Sequence, residues 1–237
     1  MNGAILVLKF IIGITLMLYA LNNNGQKILA TRGAVGHCPT CSETLTPKCG
    51  RIMVHHWAHP GEDCDPWHEH ETDWHRYWKS LVPAECVEVT VEKNGERHRA
   101  DIVTRKGKVV ELQHSSISVD SIEDREGFYN KMIWLFDVSA CRPEPQYYDS
   151  IDSGEKREII TREIRLRIRS KDDHHTFRWC HPRKSIAYAK TPVYLDVGRD
   201  EIFRLKKMYI EKRCGGWGDL KPKTVFENWL KKECRSE

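Results

Sequence analysis

These 237 residues hold no glycine fingerprint for a nucleotide, no serine, histidine and aspartate arrangement and no internal repeat, which sets aside dinucleotide-binding, serine-hydrolase and solenoid classes. Net charge is scarce as well. Thirty-eight Lys and Arg face 34 Asp and Glu, and +4 is too little for a polycation. With 40% hydrophobic and 30% charged residues the chain is not disordered, and its length suits one large domain or two modest ones. Long apolar runs are nearly missing. The exception, residues 4–21, is broken by Lys9, Gly13 and Thr15 and falls short of the roughly 20 residues that span a bilayer. It lacks a preceding basic stretch and a convincing small-residue cleavage site, which weakens the signal-peptide reading. Two readings stand for residues 1–18: an extension upstream of a start at Met17, or a membrane anchor or buried helix.

What is present is unevenly placed. Residues 154–237 carry 22 basic and 13 acidic side chains, net +9, whereas residues 1–153 carry 16 and 21, net −5. Cysteine is plentiful and odd in number. Four of the nine, Cys38, Cys41, Cys49 and Cys64, share a 39-residue stretch with seven of the twelve histidines, a mixture that fits metal ligation better than a disulfide framework. Free thiolates imply a reducing compartment, and a cytoplasmic protein is expected. The knuckle Cys38-Pro-Thr-Cys41 offers two thiolates to one zinc ion. The other ligands are open among Cys49, His55, His56, His59 and Cys64, of which His56, His59 and Cys64 are carried forward. Ahead of the knuckle, Asn24-Gly25 predicts a hairpin turn.

Asp65-Pro66 and Pro83 bracket a predicted helix of about four turns. On it Trp74, Trp78 and Leu81 form an apolar stripe, and Glu71, His75 and Lys79 fall at i, i+4 and i+8 beside it, either as an exposed charge ladder or looking into a site. Val87–Val91 alternates as a strand, Asn94-Gly95 turns it into Arg97–Thr104, and Arg105-Lys106-Gly107 leads into Lys108–Gln113. If Thr104 pairs with Lys108, Asp101 lies opposite Glu111 and Ile102 opposite Val110, with Gln113 on the face of the two acids. Two carboxylates so placed repel unless Arg99 or Lys108 bridges them or a divalent ion sits between them. Such hard oxygen ligands suit Mg²⁺ or Mn²⁺, which can polarise a phosphodiester and lower the pKa of an attacking water. A helix over 122–132, capped by Ser121 or Asp120 and carrying Arg125 and Tyr129, precedes a buried strand over 133–138. The order predicts a mixed α/β core.

Several short motifs now stand in sequence: His56-Trp57-Ala58-His59, Glu71 with His75 and Lys79, Arg99-Ala100-Asp101-Ile102, Glu111-Leu112-Gln113-His114-Ser115, and Arg125 with Tyr129. Together they resemble the competence protein CoiA-like family, which is similar to the PD-(D/E)XK nuclease superfamily, over roughly residues 19–139. The resemblance implies a restriction-endonuclease-like sheet flanked by helices, with Asp101 and Glu111 as metal ligands, Glu71 as a further acid and Gln113 where the superfamily has lysine. A neutral amide orients by hydrogen bonding but carries no charge. His75 or Lys79 is then a candidate to supply charge or a proton, and Ser115 is a weaker auxiliary.

The implied layout is an apolar extension (1–18), a hairpin with the Cys/His module (19–64), a nuclease-like core (65–148), a linker over 149–156 and a basic C-terminal domain (154–237). In the last, Arg165, Arg167 and Arg169 alternate with Ile164, Leu166 and Ile168, giving a strand with one basic face. Arg183 and Lys184, with Trp179, Tyr188, Trp217 and Lys221, add cations and aromatics suited to single-stranded DNA, although such a strand can equally be a solvated edge. Gly215-Gly216-Trp217-Gly218 reads as a flexible turn. The expected function is a metal-dependent DNA nuclease, with recombination or DNA-uptake proteins as companions. The rivals are a non-catalytic DNA-processing factor of the same fold and a hydrolytic zinc site built on His56 or His59.

Overall fold

The computed structural model describes residues 17–139 except 52 and 68, together with 146–150, 156–169, 175–198, 200–211 and 214–236. The apolar extension ahead of Met17 lies outside these residues. Among them no helix is long and apolar enough to cross a membrane.

The predicted hairpin forms as β1 (Tyr19–Leu21) and β2 (Lys27–Leu29). Gly25 takes φ +73° at the turn, and Asn22 Oδ1 accepts from the amides of Asn24 and Gln26. With β3 (Gly36–His37), β4 (Thr44–Lys48) and β5 (His56–Ala58) it makes a small sheet in the order β2-β1-β3-β4-β5, closed over Met17, Ala20, Leu45 and Trp57.

The predicted four-turn helix is half that length. α1 spans Asp73–Ser80, because Thr72 takes the N-cap and forms a reciprocal capping box with His75. Asp65, expected to start the helix, is buried instead: its carboxylate accepts from the amides of Trp67 and Arg99 and pairs with His98 at 2.9 Å. Glu71 therefore stands just ahead of the helix.

β6 (Val87–Lys93) and β7 (Glu96–Val103) turn at Asn94-Gly95, and β8 (Val109–Gln113) follows, with the Thr104 amide donating to the Lys108 carbonyl at 2.9 Å. α2 (Val119–Tyr129) starts three residues earlier than expected, because Ser118 caps it by accepting from the Ser121 amide. β9 (Met132–Asp137) is buried along its length, since α2 covers one face of the sheet with Ile122, Phe128 and Tyr129 while α1 and the C-terminal helix, α3 (Lys223–Cys234), cover the other.

Past the front half come β10 (Gln146–Ser150), β11 (Lys156–Ile160), β12 (Ile164–Arg169), β13 (His175–Trp179), β14 (Val193–Asp196), β15 (Glu201–Tyr209), β16 (Gly215–Pro222) and α3 (Lys223–Cys234). One eleven-stranded sheet runs β10-β11-β12-β13-β16-β15-β14-β9-β8-β7-β6. β14 lies parallel to β9, so strands from both halves of the chain share this sheet. The stretch expected as a linker over 149–156 carries parts of β10 and β11, which pair antiparallel.

The glycine-rich segment is strand, not turn. A Cβ on Gly216 would lie 2.0 Å from the Lys207 carbonyl oxygen and 2.9 Å from the Phe177 ring, and one on Gly218 would lie 2.1 Å from the Arg204 carbonyl oxygen. Those carbonyls belong to β15, whose register shifts between Leu205 and Lys207. Gly216→Ala is expected to cost about 2–3 kcal/mol of stability, measured by denaturant unfolding.

Candidate functional site

The β7–β8 ladder pairs Val103 with Val109 and Ile102 with Val110, as the register argument requires. One step further, side chains take over from backbone. Leu112 donates its amide to Asp101 Oδ2 at 2.9 Å, and Asp101 donates its amide to Glu111 Oε1 at 3.4 Å. The two acids meet, each on the other's strand.

Neither expected bridge is used. Arg99 pairs with Asp63 at 3.1 Å, and the Lys108 ammonium lies 5.5 Å from the centre of the Trp229 ring. The cations come instead from the two helices. Lys79 Nζ sits 2.7 Å from Glu71, 3.1 Å from Asp101 and 3.2 Å from Glu88, and Arg125 holds Glu111 at 3.0 Å. Apart from Asp101, whose side chain is 16% exposed, all these groups are buried.

Four carboxylates around two cations leave two negative charges in excess. Burial first, then the neighbouring Asp101 charge, push the Glu111 carboxyl up to about 8 against the pull of Arg125. Burial raises Glu71 also, against the pull of Lys79, and the surrounding acids hold Lys79 protonated in spite of its burial. A carboxyl raised from 4.5 to about 8 keeps its proton in the folded state through a range where the unfolded state has lost it. Its contribution to stability is therefore complete below about pH 4.5 and lost as pH rises through about 8. Glu111→Gln, which cannot ionise, is expected to gain stability relative to the parent across that range; thermal melts at pH 5 and pH 8 without added divalent ions measure the difference.

The cluster's donors are all oxygens, the kind a hard dication takes. Buried Glu71 Oε1 and Gln113 Oε1 have no hydrogen-bond partner, while Gln113 Nε2 donates to the Ser115 carbonyl at 3.3 Å. Asp101, Glu111 and Glu71 would hold such an ion.

Three contributors escaped the sequence reading. Glu88 sits in an apolar alternation that gives no hint of a role, yet at φ +49° its carboxylate accepts from the amides of Leu18 and Tyr19 as well as from Lys79. Glu69 accepts from the backbone of His114 and Ser115 and lies 3.3 Å from His75, and these partners hold it down at about 2 although burial alone would raise it. His75 thus serves Glu69 and the helix cap rather than the acid cluster, and Ser115 contributes backbone. Asp137 orients the His114 ring at 2.7 Å and raises its pKa.

A second cluster lies in the N-terminal module. The ligand atoms of Cys38, Cys41, His59 and Cys64 all fall within 4.8 Å of one another, the one such group among the described residues. The acids around Lys79 do not close to that spacing. Cys38 and Cys64 Sγ are 3.6 Å apart, too far for a disulfide and close to the roughly 3.8 Å edge of a tetrahedron with Zn–S bonds of about 2.3 Å. His59 gives Nδ1 to Glu43 at 2.9 Å, and its buried Nε2 has no hydrogen-bond partner, the arrangement of a ligating imidazole oriented from behind. This group could hold zinc. His56, carried forward as a ligand, stays outside it: β5 buries its ring, and Nδ1 bonds the Val54 carbonyl at 2.8 Å. Four ligands complete a tetrahedron, which argues against the open position of a hydrolytic zinc site.

Of the predicted nucleic-acid contacts, Arg165 and Arg167 are exposed on β12, and the Arg169 side chain lies outside the described residues. Arg183 is committed elsewhere, bonding Glu163 at 2.6 Å and the His114 carbonyl at 2.8 Å. Lys184 is exposed at the start of a short 3₁₀ stretch that packs against α2. Comparison of the chain with protein-family models, with characterised proteins and with solved structures finds no match.

Proposed function

We propose that the chain is a metal-dependent nuclease that hydrolyses DNA phosphodiesters from a restriction-endonuclease-like core. The observation that carries this reading is the opening of the β7–β8 ladder at Asp101 and Glu111, where each acid faces the other's strand beside a buried lysine. Asp101 and Glu111 would hold Mg²⁺ or Mn²⁺, with Glu71 behind them; the ion supplies Lewis-acid polarisation of the phosphodiester and acidifies a water. The chain's own groups do the rest. Asp101, the most exposed of the acids, faces incoming substrate. Lys79 supplies the positive charge that Gln113 lacks, and the Gln113 amide orients by hydrogen bonding. The excess negative charge of the cluster supports this reading, since a dication held there would relieve the Asp101 repulsion that adds to burial in raising Glu111.

A second reading has its own support. Lys79 within 3.2 Å of three carboxylates and Arg125 on the fourth give every acid of the cluster a cationic partner, and a proton held on Glu111 lowers the excess charge without a metal, as a non-catalytic DNA-processing factor would keep it. Incubation of end-labelled DNA with the purified protein, with and without added Mg²⁺ or Mn²⁺, separates the two. The nuclease reading expects shortened products only with the added ion; intact DNA under both ions refutes it.

A further inference from the structure

We propose that the face of the sheet bearing Arg165, Arg178 and Tyr209, across β12, β13, β16 and β15, binds single-stranded nucleic acid. The inference goes beyond the nuclease reading and does not depend on it, because it concerns a surface built from other strands.

Directly opposed residues of antiparallel neighbours project from the same face. Arg165 stands opposite Arg178, Arg178 opposite Gly215, and Gly215 opposite Tyr209, a row about 14 Å long at the usual strand spacing. Beside it runs a second row in which Arg167 faces Thr176, Thr176 faces Trp217, and Trp217 faces Lys207. The intervening residues Leu166 and Phe177 point into the core. Arg165, Arg167, Arg178, Lys207 and Tyr209 are all exposed.

The charges are arranged at a cost. Arg167 is paired with Glu158 at 2.9 Å, but among the described residues neither Arg165 nor Arg178 is paired with a carboxylate, although they lie directly across from each other. Like charges in opposed positions destabilise a sheet unless an anion comes between them. A phosphate backbone supplies that anion. Tyr209, half exposed with the Lys207 ammonium 5.4 Å from its ring centre, ends the row with a flat surface on which a base can stack. Unpaired bases offer their faces to such a ring and duplex bases do not, so a single strand is the occupant that uses both the guanidinium pair and the aromatic ring. An acidic membrane or a simple polyanion would use the charge alone.

Fluorescence anisotropy on the full-length chain tests this, in buffer without added divalent ions so that cleavage plays no part. A labelled oligothymidine of about 20 nucleotides is expected to bind at least about tenfold more tightly than a duplex of the same length or heparin. Arg165→Ala with Arg178→Ala should weaken oligothymidine at least about tenfold and lower the slope of log K against log salt, and Tyr209→Ala should weaken it about fivefold or more. With no ligand present, the double-alanine protein should melt at or above the parent temperature. Should it melt lower, Arg178→Gln alone is used for binding, with the same direction expected. Parent-like affinity in these variants overturns the proposal, as does duplex, heparin or anionic vesicles binding as tightly as oligothymidine.

Discussion

Alanine at position 101 is expected to lower Mg²⁺-dependent cleavage of DNA by about 1,000-fold or more while leaving the protein folded. Asp101 is the most exposed acid of the cluster, and in the proposed nuclease its loss would remove one of the three acids that would hold the dication, the one nearest solvent. A thousandfold corresponds to about 4 kcal/mol of transition-state stabilisation, in keeping with loss of a metal that polarises the reacting phosphate. Folding should survive, because Lys79 keeps Glu71 and Glu88 as partners. Initial rates under saturating Mg²⁺, with circular dichroism as the check on folding, measure the effect. Asp101→Asn should lose a similar factor, since the amide keeps the shape without the charge. Parent rates in either variant would show that the chemistry lies elsewhere.

Removing the thiolate of Cys38 is expected to unfold the N-terminal sheet. That sheet closes over a small core, Met17, Ala20, Ala30, Cys38, Leu45 and Trp57, too little apolar material to hold five short strands without a staple. Structural zinc in isolated knuckles contributes about 10–16 kcal/mol of folding free energy. The purified parent should carry one zinc per chain by elemental analysis. Cys38→Ser should carry none and should be cut by trypsin at Lys27, Arg32 and Lys48. The damage should also reach the acid cluster, because the amides of Leu18 and Tyr19 bond Glu88 and Lys27 bonds the carbonyls of Ala84 and Val87. Full protease resistance in a zinc-free protein would contradict this.

Local signals carried the reading as far as they extend. The Asn-Gly turns and the three-residue loop after Thr104 are short, so the register that brings Asp101 to Glu111 follows from counting. The Cys38/Cys41 spacing is equally local. What escaped depends on partners far off in the chain. Asp65 would cap a helix on its own, but burial against Arg99, 34 residues away, takes its carboxylate and lets Thr72 begin α1. Lys79 and Glu88 converge only because α1 packs against the sheet at the point where β6, β7 and β8 run side by side. His59 rather than His56 joins the cysteines because β5 turns the His56 ring inward, a matter of sheet pairing that spacing does not encode. The parallel pairing of β14 with β9 spans more than fifty residues and has no local mark.

Titration with Mn²⁺, followed by the relaxation of water protons, asks most directly whether the excess negative charge around Lys79 and Arg125 is there for a cation. The parent should bind one ion per chain at this site, more tightly at pH 8 than at pH 6 because the ion must displace the Glu111 proton, and Asp101→Asn and Glu111→Gln should each remove that binding. Equal Mn²⁺ binding in parent and variants, or none in the parent at either pH, would contradict the account and leave a closed network of ion pairs in its place.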